Sequence, residues 1–320
     1  MTSSKWLAVL GAVLILAVGA TACGGDDDTT GGGSGGGDLS GSIRIDGSST
    51  VAPLTEAVAE QFMAENSGVR ITVGTSGTGG GFEKFCAGET DISDASRAIE
   101  PEEVDACKKD GVSYEEVHVA TDALTVMINN ENPVSCLTVD QLADIWGRDS
   151  SIGNWSDIPG LEEEFDEELA LFGPGTDSGT FDYFTEAING EEGVSRTDYN
   201  NVGEDDNATV KGVEGSPGGM GYAGFSFYTE NEGKLKALEV DNGKGCVPPS
   251  VETAQDGSYA PLSRPLFIYP SEQALQKPEV KAFIAYYLEN VNSVAESLGF
   301  VPLTEDQLAE SEAAAEKIGL

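Results

Sequence analysis

Residues 42–62 read Ser-Ile-Arg-Ile-Asp-Gly-Ser-Ser-Thr-Val-Ala-Pro-Leu-Thr-Glu-Ala-Val-Ala-Glu-Gln-Phe, and the stretch changes character twice. Ser42 to Asp46 reads as a strand. Gly47-Ser48-Ser49-Thr50 is a run of small polar residues. Pro53 then opens a helix in which Leu54, Val58 and Phe62 recur every four residues and build one apolar face. A strand, a Ser/Thr/Gly loop and an amphipathic helix in 21 residues are the repeating unit of an α/β fold.

The unit recurs along the chain. Val69 to Val73 is a second strand; Thr75 to Gly81 follows as a small-residue turn, then a helix burying Phe82 and Phe85. Asp91-Ile92 runs into Ser93-Asp94-Ala95-Ser96-Arg97, and Pro101 starts another helix. Val117–Ala120 and Ala123–Ile128 read as two strands, and Thr138 caps a helix ending at Trp146. Leu169–Phe172 is a strand that ends at Gly173-Pro174-Gly175; Asp177-Ser178-Gly179-Thr180 leads into a helix over Phe181–Ile188. Late strands are expected over Leu235–Val240 and Leu266–Tyr269, a helix over Pro278–Asn290 and a surface helix over Glu305–Lys317. The acidic run Glu162–Glu168 reads as a solvated loop. Strands alternating with helices predict an α/β fold with mostly parallel sheets.

Four loops at strand ends share one chemistry: Gly47–Thr50, Ser76–Gly81, Asp94–Arg97 and Ser178–Thr180. In open α/β sheets ligands bind beyond the carboxyl ends of the strands. Helix N-termini there expose unpaired N–H groups and the positive end of the helix dipole, which suit an oxyanion. Ser and Thr hydroxyls add neutral donors, and Arg97 offers a guanidinium fork. Singly, each loop has a plainer reading: Ser49 or Thr50 as an N-cap, Ser76–Gly81 as a flexible turn, Arg97 as a surface ion pair, Asp177–Thr180 as a cap and turn. Recurrence at one structural position favours a joint anion site.

Enzyme readings fare worse. Asp177-Ser178-Gly179-Thr180 matches the aspartic-protease element, but a second copy is missing, because Thr75-Ser76-Gly77 lacks the acid. A serine hydrolase needs a base; His118 is the single histidine, set between Val117 and Val119, and no Gly-x-Ser-x-Gly elbow occurs. No phosphate-cradling Gly-x4-Gly-Lys-Ser/Thr loop is present either.

The N-terminus has the form of an export signal. Lys5 precedes an apolar run from Trp6 to Gly19, and Ala20-Thr21-Ala22-Cys23 resembles a lipobox. The run is shorter than the about 20 residues that span a bilayer. Residues 1–22 are therefore expected to be a lipoprotein signal, Cys23 the lipidated residue, and the Gly/Asp/Ser-rich 23–38 a tether. The formal net charge is −39, from 56 acidic and 17 basic residues, which disfavours nucleic acid and anionic membrane surfaces as partners. It does not exclude an anionic ligand, since exposed charges are screened beyond about 8 Å at physiological salt. Cys86, Cys107, Cys136 and Cys246 allow three connectivities, of which Cys86–Cys107 with Cys136–Cys246 is favoured; their spacing does not suit a metal, and neither a metal nor a cofactor is expected.

Four motifs carry a family resemblance: Asp46-Gly47-Ser48-Ser49-Thr50-Val51-Ala52-Pro53, Thr75-Ser76-Gly77-Thr78-Gly79-Gly80-Gly81-Phe82, Asp91-Ile92-Ser93-Asp94-Ala95-Ser96-Arg97 and Gly175-Thr176-Asp177-Ser178-Gly179-Thr180-Phe181. In this order they resemble the phosphate-binding proteins of high-affinity phosphate (Pst) ABC transporters, in the type II periplasmic-binding-protein superfamily. The resemblance runs from about Ser42 to about Leu303. It implies two α/β lobes joined by hinge strands, with phosphate buried between them: lobe one from 39–128 and the return segment 264–320, lobe two from 129–263. It implies a monomeric, non-enzymatic, extracytoplasmic binding protein, anchored to the outer face of the cell membrane by its lipid, with inorganic phosphate and an ABC permease as partners. The ligand set it implies is Ser49, Thr50 and the Val51 amide, Ser76 and Thr78, Ser96 and Arg97, then Asp177, Ser178, Gly179 and Thr180. Where Ser96 stands, several members carry an acid that accepts the phosphate proton; where Gly175 stands, others carry an arginine. Arg97 is expected to replace that cation, and Asp94 or Asp177 that acceptor. If both acids point away from the cleft, selectivity against sulfate needs another source. The rival readings are a binding protein for sulfate, molybdate or phosphonate, an extracellular hydrolase, and a structural surface lipoprotein.

Overall fold

The computed structural model describes residues 39–203 and 205–320, so the expected signal, the lipidated Cys23 and the tether lie outside the described residues. The first part of the chain runs β1 (Ser40–Gly47), α1 (Ala52–Glu65), β2 (Gly68–Gly74), α2 (Gly77–Cys86), β3 (Ile92–Ala95), α3 (Pro101–Asp110) and β4 (Val117–Asn129). Next come β5 (Cys136–Thr138), α4 (Val139–Trp146), β6 (Ala170–Gly173), α5 (Gly179–Asn189), β7 (Asn200–Asn201), α6 (Asp206–Glu214) and β8 (Gly219–Gly224). They are followed by α7 (Phe225–Thr229), β9 (Leu235–Ala237), β10 (Glu239–Asp241), β11 (Cys246–Val247) and α8 (Val251–Gln255). The chain closes with β12 (Ser263–Pro270), α9 (Pro278–Ser297) and α10 (Glu305–Lys317).

Nine strands form one sheet, eight of them in the order β2-β1-β3-β12-β4-β8-β6-β7 and β9 paired beside them on β4; β11-β10-β5 is a separate three-stranded sheet. At one end β2, β1 and β3 are parallel, with Ile43 opposite Ile71 and Asp46 opposite Ser93. At the other β8, β6 and β7 are parallel. Between them β12 runs antiparallel to β3 and β4, and β4 antiparallel to β8 and β9. The expected α/β fold with two parallel groups is present, and β4 and β12 join the groups.

Each group has its own core. The apolar face of α1 is buried as its spacing predicts: Leu54 and Val58 are fully covered and Phe62 nearly so, packed with Phe283 and Tyr287 of α9. Such side chains contribute about 1.5–3 kcal/mol each on burial. The second core gathers around Trp146, Phe184 and Tyr222, the last two stacked with ring centroids 3.7 Å apart. Two disulfides form as favoured from the sequence: Cys86–Cys107 fastens α2 to α3, and Cys136–Cys246 closes a separation of 110 positions between β5 and β11.

Several boundaries differ from expectation. Val117 to Asn129 is one strand of 13 residues rather than two, because the polar pair at its centre is satisfied: the Thr121 N–H donates to the Val301 carbonyl and Asp122 lies opposite Arg264. Leu235–Val240 is two strands, changing partner from β4 to β5 at the buried Leu238, whose N–H donates to the Val126 carbonyl. The small-residue turn starts a helix: α2 begins at Gly77. Gly81 lies against β1, where a Cβ would stand 2.5 Å from the Gly47 Cα, so only glycine lets the helix come this close. The C-terminal helix is only partly a surface element, since Ala314 and Ala315 are buried in the first core.

Candidate functional site

The loops after β1, β2 and β3, one face of α5 and the start of β12 converge on one cleft of ≈ 360 Å³. Six hydroxyls line it, from Ser48, Ser49, Thr50, Ser76, Thr78 and Ser96, with Gly77 and Gly79 beside them. Arg97 and Arg264 supply the cations; Tyr183, Asp182 and Glu186 of α5 and Glu192 just beyond it form the facing wall.

The first loop is held by its own polar groups. The Ser48 N–H donates to the Asp94 carbonyl at 2.9 Å, the Thr50 N–H to Ser48 Oγ at 3.2 Å and the Ala52 N–H to the Ser48 carbonyl at 3.0 Å. A Cβ at Gly47 would fall 2.0 Å from the Asp94 oxygen, so glycine is what allows β1 and β3 to close here. Among the described residues the Val51 N–H, just ahead of α1, has no acceptor, and it is a free donor at a helix N-terminus.

Asp46 ties the first loop to the second. Its carboxylate accepts from the Ser76 N–H at 3.0 Å, from Ser76 Oγ at 2.5 Å and from Lys84 Nζ at 2.6 Å. Partial burial raises its pKa, but the Lys84 and Ser76 donors outweigh that and hold it below the usual value. The third loop meets the second through Thr78: its hydroxyl accepts the Ser96 N–H at 3.2 Å and lies 3.1 Å from Ser96 Oγ.

The two arginines differ. Arg97, expected as the fork on the ligand, gives Nη1 and Nη2 to both oxygens of Glu103 at 2.8 Å, and Nε lies 3.4 Å from Glu100. Glu103 is also the capping-box residue of α3. Arg264, which sequence reading left out of the site, sends Nη2 to Thr50 Oγ1 at 2.9 Å. Its guanidinium carbon lies 3.6 Å from the centre of the Tyr183 ring; Asp122 and Glu186 are each 3.5 Å away. Only 14% of its side chain is exposed, and its buried Nε faces the Asp122 carboxylate at 3.5 Å. A buried guanidinium holding one short hydrogen bond has donors to spare. The available sign was a lone charge of each type, Asp122 and Arg264, in two apolar strands that prove to face each other.

The fourth motif reaches the cleft by its helix. A Cβ on Gly179 would lie 3.9 Å from Thr50 Oγ1, so the start of α5 faces the first loop. Ser178 caps α5, its Oγ accepting the Thr180 N–H at 3.3 Å. Asp177, Ser178 and Thr180 do not line the cleft, and Asp177 is exposed. Asp94 is also off the wall: it is fully buried behind the first loop, neither carboxylate oxygen has a hydrogen-bond partner among the described residues, and burial pushes its pKa up to about 8. Thus neither acid expected as the proton acceptor stands on the cleft. Asp182 does, and burial with the neighbouring charge of Glu192 raises its pKa.

Comparison with known proteins places this geometry. Residues 32–291 match the model of a periplasmic-binding-protein (PBP) superfamily domain. Protein SphX of Synechococcus elongatus is 51% identical over 268 residues, covering 82% of this chain and 77% of that protein. The phosphate-binding protein PstS of Staphylococcus haemolyticus is 38% identical over 304 residues, covering 94% and 93%. A crystal structure from Planctomyces limnophilus, described as a possible phosphate binding protein, superposes with a TM-score of 0.84 at 43% identity, covering 88% of this chain and 100% of that one. The fold is the two-lobed type II arrangement of such proteins, and the chain belongs to the phosphate-binding family of the periplasmic-binding-protein superfamily.

Proposed function

We propose that this chain is an extracytoplasmic binding lipoprotein that captures inorganic phosphate between two lobes and delivers it to an ABC permease. The observation that carries the reading is the buried Arg264 guanidinium, with its one short hydrogen bond to Thr50, in a cleft where six hydroxyls and the starts of helices face three carboxylates. Neutral donors surround an oxyanion without adding charges that need desolvation, while one guanidinium supplies the counter-charge. The relatives named for phosphate binding support the ligand, and their names are those of binding proteins rather than enzymes.

The proposed lobes are 39–128 with 264–320, and 129–263; each has a core, and the second core also takes Leu124, Val126 and Ile128 from the far half of β4. β4 and β12 are the hinge strands, because β12 pairs with β3 of one group, β4 with β8 of the other, and the two pair with each other. Ser49, Thr50, the Val51 amide, Ser76, Thr78 and Ser96 bind from the first lobe; Ser178, Gly179 and Thr180 come into range from the second on closure. Arg264 takes the role of ligand fork expected of Arg97, whose fork is filled by Glu103; Arg97 contributes its field. The acceptor for the phosphate proton moves from Asp94 or Asp177 to Asp182, the cleft carboxylate whose raised pKa marks partial desolvation. A carboxylate facing protonless sulfate leaves like charges unpaired, whereas protonated phosphate gives it a hydrogen bond. Residues 1–22 act as the signal, Cys23 as the lipid anchor and 23–38 as the tether.

Calorimetry with phosphate and sulfate tests the reading. Phosphate binding with sulfate at least about a hundredfold weaker is expected. Arg264→Lys keeps charge but removes the fork and is expected to weaken phosphate at least about tenfold. Equal affinities for the two anions would replace phosphate with a broader oxyanion ligand.

A further inference from the structure

Each arginine of the cleft has a carboxylate beside it, but the two pairs are built differently. Glu103 takes both terminal nitrogens of Arg97 at 2.8 Å, accepts the Glu100 N–H at 2.8 Å and is 16% exposed. That pair is bidentate, half-buried and tied into a helix cap, so an incoming anion cannot replace it cheaply. Glu186 meets Arg264 through a single contact at 3.5 Å and is 52% exposed. It stands on α5, on the opposite wall from Thr50, while Arg264 is fixed by Thr50 at 2.9 Å, by the Tyr183 ring and by Asp122. The cation is thus held in place and its carboxylate partner is held loosely.

We propose that Glu186 is a resident competitor of the ligand: with Asp122 fixed on Nε, Glu186 occupies Nη1 of Arg264 between binding events, and the bound anion displaces it. This rests on the reading of the cleft as a phosphate site. Asp122, 13% exposed and 3.5 Å from Nε, is the fixed counter-charge of the buried guanidinium, so Glu186 can leave without stranding the cation. The long, exposed Glu186 pair is weak enough to yield to an oxyanion that offers two oxygens and accepts from the surrounding hydroxyls. The affinity of the site is then the difference between two anions on one cation. An anion limited to one contact gains little over Glu186, so the competitor also raises the threshold for monovalent ions such as chloride.

The test is phosphate calorimetry on the full chain and on Glu186→Gln. Glutamine keeps the shape and removes the charge, and the exposed position leaves folding intact, which the thermal midpoint checks. At low salt the variant is expected to bind phosphate about two- to fivefold more tightly, the range that exposed pairs support. The advantage is expected to vanish near 1 M salt, where the screening length is about 3 Å. Affinity that is unchanged or weaker in the variant overturns the inference and leaves the phosphate reading standing, as does an advantage that salt does not alter. Absence of phosphate binding in both proteins overturns the phosphate reading, and the inference with it.

Discussion

The Asp94 side chain, in β3, is fully buried. Its neighbours in sequence are ligand-type residues, yet its carboxyl is sealed under the first loop, where its backbone oxygen holds Ser48 in place. Burial lifts its pKa to about 8; the Thr55 hydroxyl opposes the shift, and the charges of Asp46 and Glu56 add to it. The sign for stability follows. Below about pH 4 folded and unfolded chains both carry the proton and the group contributes no difference. Between there and about pH 8 the unfolded carboxyl ionises while the folded one does not, so stability falls by up to about 1.4 kcal/mol per pH unit. Asp94→Asn is therefore expected to be more stable than the parent at pH 7 and to show a shallower decline from pH 5 to 8, read by urea unfolding at each pH. An unchanged slope would mean that Asp94 is ionised in the fold. Arg264 makes the complementary point. The hydroxyl loops were legible because each is a local strand–loop–helix signal. Arg264 meets Thr50 across 214 positions and across an antiparallel pairing that no local pattern encodes.

Among the elements, α2 separates what propensity decides from what packing decides. Three consecutive glycines, Gly79 to Gly81, read as a turn because glycine is among the poorest helix formers. The structure makes them helical, since tertiary contact outweighs a propensity cost of about 1 kcal/mol per residue. The contacts explain why glycine is used. At Gly81 a Cβ would meet the Gly47 Cα at 2.5 Å and Asp46 O and Ser93 Oγ at 3.0 Å, two of them backbone atoms that cannot turn aside. At Gly79 the nearest atom would be Arg97 Nη2 at 3.8 Å, ordinary contact. Gly81→Ala is expected to cost about 1–3 kcal/mol and to weaken phosphate binding, because α2 carries Thr78. Gly79→Ala is expected to stabilise by about 0.5–1 kcal/mol. Chemical unfolding of the two variants separates them, and equal effects would mean that propensity alone governs this helix. The same distinction explains the rest of the legibility. The strand–helix alternation and the buried face of α1 follow from periodicity. The short β5, β7 and β11 and the fusion of two expected strands into β4 depend on partners elsewhere in the chain, which local patterning does not contain.

At the scale of the whole molecule, the proposed lobes are linked through β4 and β12, and Arg264 stands on one of these strands opposite Asp122 on the other. On the proposed reading the cation that receives the ligand is part of the connection about which the lobes turn; Thr50 bonds to it from one side, and Tyr183 and Glu186 meet it from the other. A ligand that bonds both walls stabilises a compact arrangement only by its differential affinity for that arrangement. The donors assigned to each side supply this difference: the first-lobe hydroxyls face the cleft directly, while the start of α5 contributes Gly179 near Thr50 but keeps Ser178 and Thr180 off the wall. Bringing those two inward adds amide and hydroxyl bonds available only in the closed form. Saturating phosphate is therefore expected to reduce the radius of gyration measured by small-angle scattering. At about 1,000 times Kd it should also raise the unfolding free energy by about 4 kcal/mol. Arg264→Lys should show a smaller contraction at equal saturation, since it loses the fork by which the ligand engages the hinge strand. Contraction of the parent with none in the variant would locate the coupling in that guanidinium. Identical scattering with and without phosphate, in a protein that calorimetry shows to be saturated, would make the cleft a rigid receptor and remove Ser178 and Thr180 from the ligand set.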